Sequence, residues 1–347
     1  MSKLDDAIKL LNKRFGADYI TRGGLTTNFV RHSTGIDALD VAIGGGIPEK
    51  KVVMLAGKFS SGKSTAAITT AAQYQKAGKV VLWCDAEGSF DANWAAKFGL
   101  DSQKLVLYRP DTVEQVTDAI ETLIMTGEIG LVVWDSVAVT PSAKEMESSA
   151  EEKSYGGIAK SVGLFMRKIT ARLSDPRLNL KTSFILINQL RDNLSGMGAK
   201  EYTPGGKLLH YGSDIIVWLR PDSEPVGGRE AATGITVHLK VVKNRTAPPL
   251  RIGSYELNFK GSINNKKSVV ELAISLGIIK KGGSVYSYAE GKETVKVKGI
   301  DNLVDSLTDK QVSKFKEHIL AEVAKGNFDT VPLTEEENTM VEVEVTE

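Results

Sequence analysis

The stretch "GKFSSGKST", Gly57 to Thr65, decides the fold, because it lies between an apolar run and a helical pattern. The run "KVVMLAG" (51–57) is rich in strand-forming residues, and "KSTAAITTAAQYQKAG" (63–78) reads as a helix that ends at a glycine. A loop between a strand and a helix can turn its backbone N–H groups inward to cradle phosphates, and the helix N-terminus adds its positive end. The motif therefore predicts a nucleotide site in which Lys63 reaches the β- and γ-phosphates and Ser64 binds Mg²⁺.

The chain around this loop alternates between two kinds of pattern. Further apolar runs end in polar residues, as buried parallel strands do when ligand groups lie at their carboxyl ends. Residues 111–127 and 153–174 have the apolar spacing of helices. The alternation predicts an α/β fold with a mainly parallel central sheet around the phosphate loop (P-loop). The predicted strands after 51–57 are 79–88, 104–110, 130–138 and 182–189.

Two carboxylates follow predicted strands and are candidates for the chemistry of ATP hydrolysis. Asp135 ends "LVVWD" and would present a second Mg²⁺ ligand beside the P-loop strand. Glu87 ends "VVLWCDAE" and could orient or deprotonate the attacking water. Each has a simpler explanation, since an Asp at a strand end is often a mere cap and a Glu there often begins a helix. The P-loop upstream favours the metal role for Asp135, whereas position alone leaves the role of Glu87 open.

The composition excludes several classes of protein. The 347 residues carry a formal net charge of +1, so any nucleic-acid site must be local. The single cysteine, Cys84, excludes a disulfide framework and a four-cysteine zinc site and fits a reducing compartment. No apolar stretch of the sequence approaches the roughly 18 to 20 residues of a membrane span. We therefore predict a cytoplasmic protein without a membrane partner.

The two ends of the chain differ from the middle. Ser2 and Asp5 resemble a capping box and Gly16 can take the left-handed stop position, so residues 2–15 are predicted as a helix. Its apolar stripe packs either on the chain's own core or on a neighbouring subunit. The predicted organisation is an N-terminal helix and linker (1–33), an α/β core (34–262), a small α+β domain (263–330) and a disordered acidic tail (331–347). The family resemblance given next implies that the core is an ATPase with DNA-binding loops.

Several segments resemble the RecA family of homologous-recombination proteins in order and spacing, from about residue 2 to 325. Among them are "LVVWDSVAVTP" (131–141), "ILINQLR" (185–191), "TPGGKLLHYGSD" (203–214) and "VVKNRTAPP" (241–249). The resemblance implies an ATP-dependent protein that forms a helical filament on single-stranded DNA and promotes homologous pairing and strand exchange. It also implies DNA-stimulated ATP hydrolysis and a part in DNA repair and the SOS response.

Position by position, the resemblance assigns roles around the nucleotide. Glu87 would activate the water, and Gln189 would sense the γ-phosphate and pass that state to the loop after it. Asp91, Trp94 and Phe259 fall where the family contacts adenine; the family typically has tyrosine at the last two positions, and either ring can stack. The residues implied to hold ATP and Mg²⁺ are Gly57, Ser60, Ser61, Gly62, Lys63, Ser64, Thr65 and Asp135, with Ser64 and Asp135 as the metal ligands.

Lys243 and Arg245 form an informative pair. Two residues apart on a strand, they point to one face. In the family that face meets the ATP of the next subunit, so both cations would neutralise charge on the γ-phosphate across the interface, as arginine fingers do. The family usually has two lysines here, and Arg245 keeps the charge. Such a site implies a head-to-tail, non-closing assembly, and it favours a neighbouring subunit as the partner of the N-terminal oligomerisation helix.

Two segments are implied to bind DNA. Lys160 and Arg167 are seven residues apart on one helix face, and the Gly-rich loop 191–206 directly follows Gln189. Tyr155, which departs from the usual Met, and Leu194 match positions that wedge between base triplets. Phosphate and stacking contacts of this kind bind a single strand without reading its sequence. The implied DNA-binding residues are Tyr155, Gly156, Gly157, Lys160, Arg167, Arg191, Leu194, Gly205 and Gly206.

A lysine-rich segment, 266–298, has seven lysines against three glutamates. A charge run is usually only a solvated face, but this one could recruit double-stranded DNA, with the acidic tail competing for it. The implied partners are single- and double-stranded DNA, further copies of the chain, and single-strand-binding and mediator proteins. Three alternatives remain: a related motor such as a hexameric helicase or repair ATPase, a small-molecule kinase with the same phosphate loop, and a filament that binds ATP but scarcely hydrolyses it.

Overall fold

A computed structural model of the chain describes residues 2–16, 20, 29–148, 157–192, 201–249, 251–291 and 293–325. Its described helices include none that is both long and apolar enough to cross a bilayer. The helices are α1 (Lys3–Phe15), α2 (Asp37–Ile43), α3 (Lys63–Lys76), α4 (Ala92–Lys97), α5 (Val113–Ile124), α6 (Ala143–Glu147), α7 (Gly157–Ser174), α8 (Gly206–Gly212), α9 (Asn265–Ser275), α10 (Ile300–Ser306) and α11 (Asp309–Ala324).

The strands within the described residues form one large sheet and three small ones. They are β1 (Arg31–His32), β2 (Ile47–Pro48), β3 (Val52–Gly57), β4 (Val80–Asp85), β5 (Leu105–Tyr108), β6 (Ile129–Asp135), β7 (Ser183–Gln189), β8 (Arg191–Asp192), β9 (Glu201–Tyr202), β10 (Ile215–Pro221), β11 (Gly234–Asn244), β12 (Ile252–Asn258), β13 (Ser262–Ile263), β14 (Lys280–Gly282), β15 (Val285–Glu290) and β16 (Glu293–Lys298).

The large sheet has the order β13-β12-β11-β10-β3-β7-β6-β4-β5. The six strands from β10 to β5 are parallel, and β11, β12 and β13 extend the sheet antiparallel at the β10 edge. All five strands predicted from apolar runs are present in the sheet. Of these, β3, β4, β6 and β7 lie inside it, because runs without polar interruptions can be buried on both faces. The fifth, β5, is the last strand of the sheet and is partly exposed, with Val106 37% and Leu107 43% exposed. The predicted α/β class with a mainly parallel sheet is therefore confirmed.

Each face of the sheet packs against its own hydrophobic cluster. Along β3, Val53 and Leu55 join the cluster that contains α2, α3 and α9, whereas Met54 and Ala56 join the cluster that contains α5 and α7. This is the period-two alternation of a strand covered on both sides. The carboxyl ends of the parallel strands, including the P-loop end of β3, thus lie together along one side of a rigid sheet, here called the carboxyl edge. The opposite ends of the same strands form the amino edge.

The N-terminal helix begins and ends where its sequence predicts. Ser2 and Asp5 form the capping box, and Gly16 adopts the left-handed conformation at the end of α1. None of the residues of α1 is buried: on its apolar stripe Leu4 is 59% and Phe15 47% exposed, and Ile8 and Leu11 are partly exposed. Within the described part of the chain, the stripe is therefore not part of the buried core. Residues 17–19 and 21–28 of the predicted linker lie outside the described residues.

The last part of the chain packs on the face of α2. Lys316 of α11 forms an ion pair with Asp37, and Asn265 donates to the carbonyl of Gly35. Within this part, α9 precedes a hairpin of β15 and β16, to which β14 adds a third strand. The domain boundary that we predict between residues 262 and 263 falls inside β13, and the predicted acidic tail, 331–347, lies outside the described residues.

Candidate nucleotide site and DNA-facing surface

The P-loop leaves β3 at Gly57 and enters α3 after Gly62. A Cβ atom on Gly57 would lie 2.3 Å from Ser61 Oγ and 2.5 Å from the carbonyl oxygen of Leu219, so only glycine fits this strand end. Gly62 has φ +80°, a left-handed conformation that glycine adopts without strain. The loop therefore folds tightly over the start of α3, with the N–H groups of the first helical turn directed into it.

The side chain of Lys63 lies inside the loop. Its Nζ donates to the carbonyl oxygen of Lys58 at 2.7 Å and to Ser61 Oγ at 3.3 Å. Burial lowers the pKa of the Lys63 ammonium, and the carboxylates of Asp135 and Glu87 oppose that shift. The Lys63 ammonium thus lies close enough to two carboxylates to be stabilised by their charge.

Asp135 ends β6 beside the P-loop and is almost fully buried, at 3% exposure. Burial raises the pKa of its carboxyl to about 6, opposed by the Ser64 hydroxyl, which hydrogen-bonds to it, and by the more distant charge of Lys63. The carboxylates of Glu87 and Asp85 raise the pKa further. A hydroxyl and a carboxylate in contact, in a site with surplus negative charge, form the pair of oxygen ligands that Mg²⁺ commonly takes from a P-loop protein.

Glu87 and Gln189 meet although they are far apart in the sequence. Gln189 Nε2 lies 3.5 Å from Glu87 Oε1, and Ser136 Oγ donates to the same oxygen at 2.6 Å. Gln189 is the last residue of β7, which lies between β3 and β6 in the sheet. The residue predicted to activate water and the residue predicted to sense the γ-phosphate therefore touch each other, next to the P-loop.

Our sequence analysis missed Asp85 and Ser136 as parts of this site. Asp85 accepts from the N–H groups of Ser89 and Phe90 and pairs with Arg109 Nε at 3.4 Å, which shapes the loop that carries Glu87. The sequence did contain one indication of Asp85, which is an aspartate directly after an apolar run that predicts a strand. No neighbouring residue in the sequence indicated a role for Ser136, because its partner Glu87 is far away along the chain.

Of the three residues predicted near adenine, Trp94 contacts the start of α3. Trp94 Nε1 donates to Thr65 Oγ1 at 3.2 Å, which holds the indole beside the P-loop helix. The carboxylate of Asp91 caps α4 through the N–H groups of Asn93 and Trp94, so its role within the chain is structural. Phe259 is 46% exposed, in the turn that follows β12.

Lys243 and Arg245 lie toward the amino edge of the sheet, away from the strand ends that carry the P-loop. Lys243 is in register with Ile216 of β10, and Ile216 is in register with Met54. Met54 precedes Gly57 by three residues, which is about 10 Å along a strand, and Arg245 lies beyond Lys243 in the direction away from the P-loop. The two cations are therefore distant from the nucleotide loop of their own chain.

The expectation that both cations lie within one strand was wrong by one residue. The strand β11 ends at Asn244, whose side-chain oxygen accepts from the N–H groups of Thr246 and Ala247 and turns the chain. Arg245 therefore follows the strand. Its N–H donates to the carbonyl of Asp214 at 3.0 Å, and its guanidinium lies 4.0 Å from the Asp214 carboxylate.

Lys243 binds the end of a short helix. Its Nζ donates to the carbonyl oxygens of His210 and Tyr211, at 2.8 and 2.9 Å, in the last turn of α8. Burial lowers the pKa of Lys243 to about 8; Arg245 lowers it further and Asp214 opposes the shift. Tyr211 is 53% exposed beside this contact. The helix α8 thus joins the Lys243 position to the glycines at its other end.

The helices α7 and α8 pack closely through glycines. A Cβ on Gly206 would lie 2.8 Å from the Cβ of Ala159, and one on Gly163 would lie 2.7 Å from Leu208 Cδ1. Gly205 and Gly206 both have positive φ, and Gly205 is the N-cap of α8. The predicted DNA-binding glycines therefore have a packing role, which brings the ends of both predicted DNA-binding segments together.

The basic residues predicted to contact DNA are exposed. Lys160 and Arg167 lie on α7, and Arg191 lies on β8, which pairs with β9. Residues 193–200, between these two strands, lie outside the described residues. Gly157 is the first residue of α7. Tyr155, Gly156 and Leu194 lie outside the described residues.

Asn188 is a further residue that our sequence analysis missed. Its side-chain N–H donates to the carbonyl oxygen of Pro204 at 2.8 Å, and its side-chain oxygen accepts from the N–H of Gln189. It therefore ties the segment after the loop 193–200 to the strand that carries Gln189. Asn188 stood inside the motif "ILINQLR" without a chemical role that the sequence alone could indicate.

Comparison with known proteins agrees with this arrangement. The family model of the RecA N-terminal domain matches residues 2–264. Protein RecA of Thermus aquaticus is 37% identical over 293 residues, which cover 83% of this chain and 84% of the relative. Protein RecA of Chlorobium chlorochromatii is 36% identical over 308 residues, covering 85% of each chain. Protein RecA of Chloroherpeton thalassium is 32% identical over 338 residues, covering 95% of this chain and 93% of the relative.

Proposed function

This chain belongs to the RecA family, and from that premise we propose that it is an ATP-dependent homologous-recombination protein. It forms a helical filament on single-stranded DNA and promotes homologous pairing and strand exchange. It hydrolyses ATP to ADP and phosphate, and DNA stimulates this hydrolysis. Its biological setting is DNA repair, recombination and the SOS response.

One observation carries the proposal beyond family membership. Lys63, Asp135, Glu87 and Gln189 gather at one edge of the sheet, whereas Lys243 lies toward the other edge. A chain with this division cannot bring its own Lys243 to its own nucleotide. Stacked head to tail, the cations of one copy meet the P-loop of the next, and such a heterologous contact continues as a filament.

The nucleotide chemistry is divided among the residues already described. The backbone of the loop from Gly57 to Thr65 holds the phosphates, with Lys63 at the β- and γ-phosphates. The Ser64 hydroxyl and the Asp135 carboxylate fit Mg²⁺, which would neutralise phosphate charge when bound. Glu87 orients and deprotonates the attacking water, and Ser136 holds the carboxylate in place. Trp94 and Phe259 stack on adenine beside Asp91.

Gln189 carries the nucleotide state to the DNA surface. It touches Glu87 on one side and continues directly into β8 and the loop 193–200 on the other. Asn188, beside Gln189 on β7, ties this strand to Pro204 just before α8, and α8 ends on Lys243. ATP therefore acts as an assembly switch, while base pairing does the work of strand exchange. The apolar stripe of α1 packs on the neighbouring subunit.

DNA binds along α7 and the loop after β8. Lys160, Arg167 and Arg191 hold phosphates of the single strand, and the glycines at 156–157 and 205–206 offer backbone N–H groups. Tyr155 and Leu194 separate groups of bases. The lysines between 266 and 298 recruit double-stranded DNA. Single-strand-binding and mediator proteins are the expected further partners. We assign the activity to the cytoplasm, where a lone buried thiol such as Cys84 stays reduced.

The decisive test is ATP hydrolysis with and without single-stranded DNA, on the native chain and on Lys243→Ala. The native chain is expected to be strongly stimulated by DNA, and the variant is expected to lose this stimulation about a thousandfold, as when an arginine finger is removed. ATP binding to the unassembled variant should match the native chain. Lys76→Ala removes an exposed lysine at the end of α3 and is the matched control, with no expected loss.

The other outcomes separate the alternatives. If turnover ignores DNA and Lys243→Ala behaves like the native chain, the small-molecule kinase becomes the better assignment. If the native chain assembles on DNA with ATP but barely hydrolyses it, the protein is a regulatory filament. If DNA stimulates turnover but the assembly closes into rings in electron micrographs, it is a hexameric motor.

A further inference from the structure

The sheet of β14, β15 and β16 has an open edge at β16. Within the described part of the chain, β16 pairs on one side with β15 and no strand pairs with its other side. A free edge presents a row of backbone N–H and C=O groups that can receive another strand. At the end of β16 the carbonyl oxygen of Lys298 already accepts from Asn302 Nδ2 at 2.9 Å, so the open part of the row lies before it. The edge strand reads "ETVKVK", 293–298, with strict alternation of side chains.

The alternation gives β16 an apolar face and a basic face. Val295 and Val297 pack toward the hydrophobic cluster, whereas Thr294, Lys296 and Lys298 are exposed. The register places Lys280 of β14 on the same face as Lys296, through Ser287 of β15. Lys296 and Lys298 make no ion pair with any described residue, and no acidic residue is in register with them on this face.

The chain contains one segment with the complementary pattern. Residues 341–345 read "VEVEV", with Val341, Val343 and Val345 alternating with Glu342 and Glu344. On the edge of β16, a strand with this period would align valine with valine on the apolar face and glutamate with lysine on the basic face. A shift by one residue would oppose valine to lysine, so the pattern selects its own register.

The length of the chain permits this contact. The helix α11 begins against the sheet, where Gln311 donates to Glu290 at 2.7 Å, and its 16 residues carry the chain about 24 Å away. Between Lys325 and Val341 stand 15 residues, which span up to about 50 Å when extended. The segment can therefore return to the sheet from which α11 departs.

We propose that residues 341–345 add to the free edge of β16 as a fourth strand, within the same chain. This is strand addition to an exposed sheet edge, in which main-chain hydrogen bonds supply affinity and the alternating side chains supply register. The docked strand covers the edge and neutralises Lys296 and Lys298.

The test is amide hydrogen exchange of residues 293–298 in the full-length chain, free of nucleotide, after nuclease treatment. The native chain is expected to exchange at least about tenfold more slowly at β16 than a chain truncated after Lys325. Val343→Pro should match the truncated chain, because proline removes a ladder donor and disrupts the strand. Asn338→Pro, in the connecting segment, is the matched control and should match the native chain.

A charge exchange tests the register. Lys296→Glu with Lys298→Glu should lose the protection, and combining these with Glu342→Lys and Glu344→Lys should restore it. Equal exchange in the native and truncated chains would overturn the proposal. Protection that rises with protein concentration would assign the strand to a second copy, and protection that disappears with nuclease treatment would assign the face to DNA; either result would also overturn it.

Discussion

The two edges of the central sheet differ in how complete they are. At the carboxyl edge of the parallel strands, Lys63, Asp135, Glu87 and Gln189 influence or touch one another within a single chain. Toward the amino edge, Lys243 and Arg245 meet only backbone carbonyls and the carboxylate of Asp214 among the described residues. The carboxyl edge gathers the residues proposed for ATP hydrolysis, whereas the amino edge holds two cations that are proposed to act on the nucleotide of a neighbouring copy.

This difference shows how assembly can control the chemistry. A site divided between two edges cannot be completed within one rigid sheet, because the strands hold its halves apart. In the proposed filament, a second copy brings its amino edge to the nucleotide. Hydrolysis is then coupled to filament assembly without any change in the carboxyl-edge residues themselves.

Glu87→Gln is expected to have the largest effect, because it removes the proposed base at the carboxyl edge. Turnover with saturating single-stranded DNA should fall about 10²- to 10⁴-fold, while ATP binding by calorimetry stays close to native. Ser136→Ala, which removes one hydrogen bond to the same carboxylate, should lose about tenfold or less. Native turnover in Glu87→Gln would show that the water is activated elsewhere.

A mixture of two inactive variants tests whether the edges meet between chains. In an equal mixture of Glu87→Gln and Lys243→Ala, about a quarter of the interfaces pair an intact Glu87 with an intact Lys243, if the copies assemble at random. DNA-stimulated turnover should therefore recover to about a quarter of the native rate. A mixture no more active than its two components would place both residues in the site of one chain.

Trp94→Ala should weaken nucleotide binding without a comparable loss of turnover. Stacking on a base contributes about 1–3 kcal/mol, so KM for ATP should rise about tenfold. Trp94→Phe keeps a ring but loses the hydrogen bond to Thr65, and its KM should rise less than about threefold. Steady-state kinetics separates the two, and a fall in kcat at unchanged KM would argue against an adenine contact.

The smallest expected effect is a pH dependence of stability at the amino edge. In the folded, unassembled chain the pKa of Lys243 is lowered from 10.5 to about 8. Between these values the unfolded chain binds more protons than the folded chain, so this group makes the free energy of unfolding rise with pH. Urea unfolding at several pH values from 7.5 to 10 should show a smaller rise in Lys243→Met. Identical profiles would mean that the lysine titrates normally.

Much of the fold could be predicted from local pattern. The runs around Val53, Leu82 and Val132 became central strands because each is apolar enough for burial on both faces. Ser2, Asp5 and Gly16 set the ends of α1 through hydrogen bonds within a few residues. The position of Arg245 was missed by one residue, since the strand ends through a side-chain turn at Asn244 that periodicity does not reveal.

The sequence by itself determined the phosphate loop, the parallel core and the family to which the chain belongs, because these depend on residue types at fixed short spacings. Only the tertiary structure decided that Ser136 and Gln189 converge on Glu87, that Asn188 closes the loop before α8, and that Lys243 faces away from its own nucleotide. Those contacts depend on strand order and on crossovers through long stretches of chain. The spacing of residues along the sequence does not reveal which distant residues are close in space.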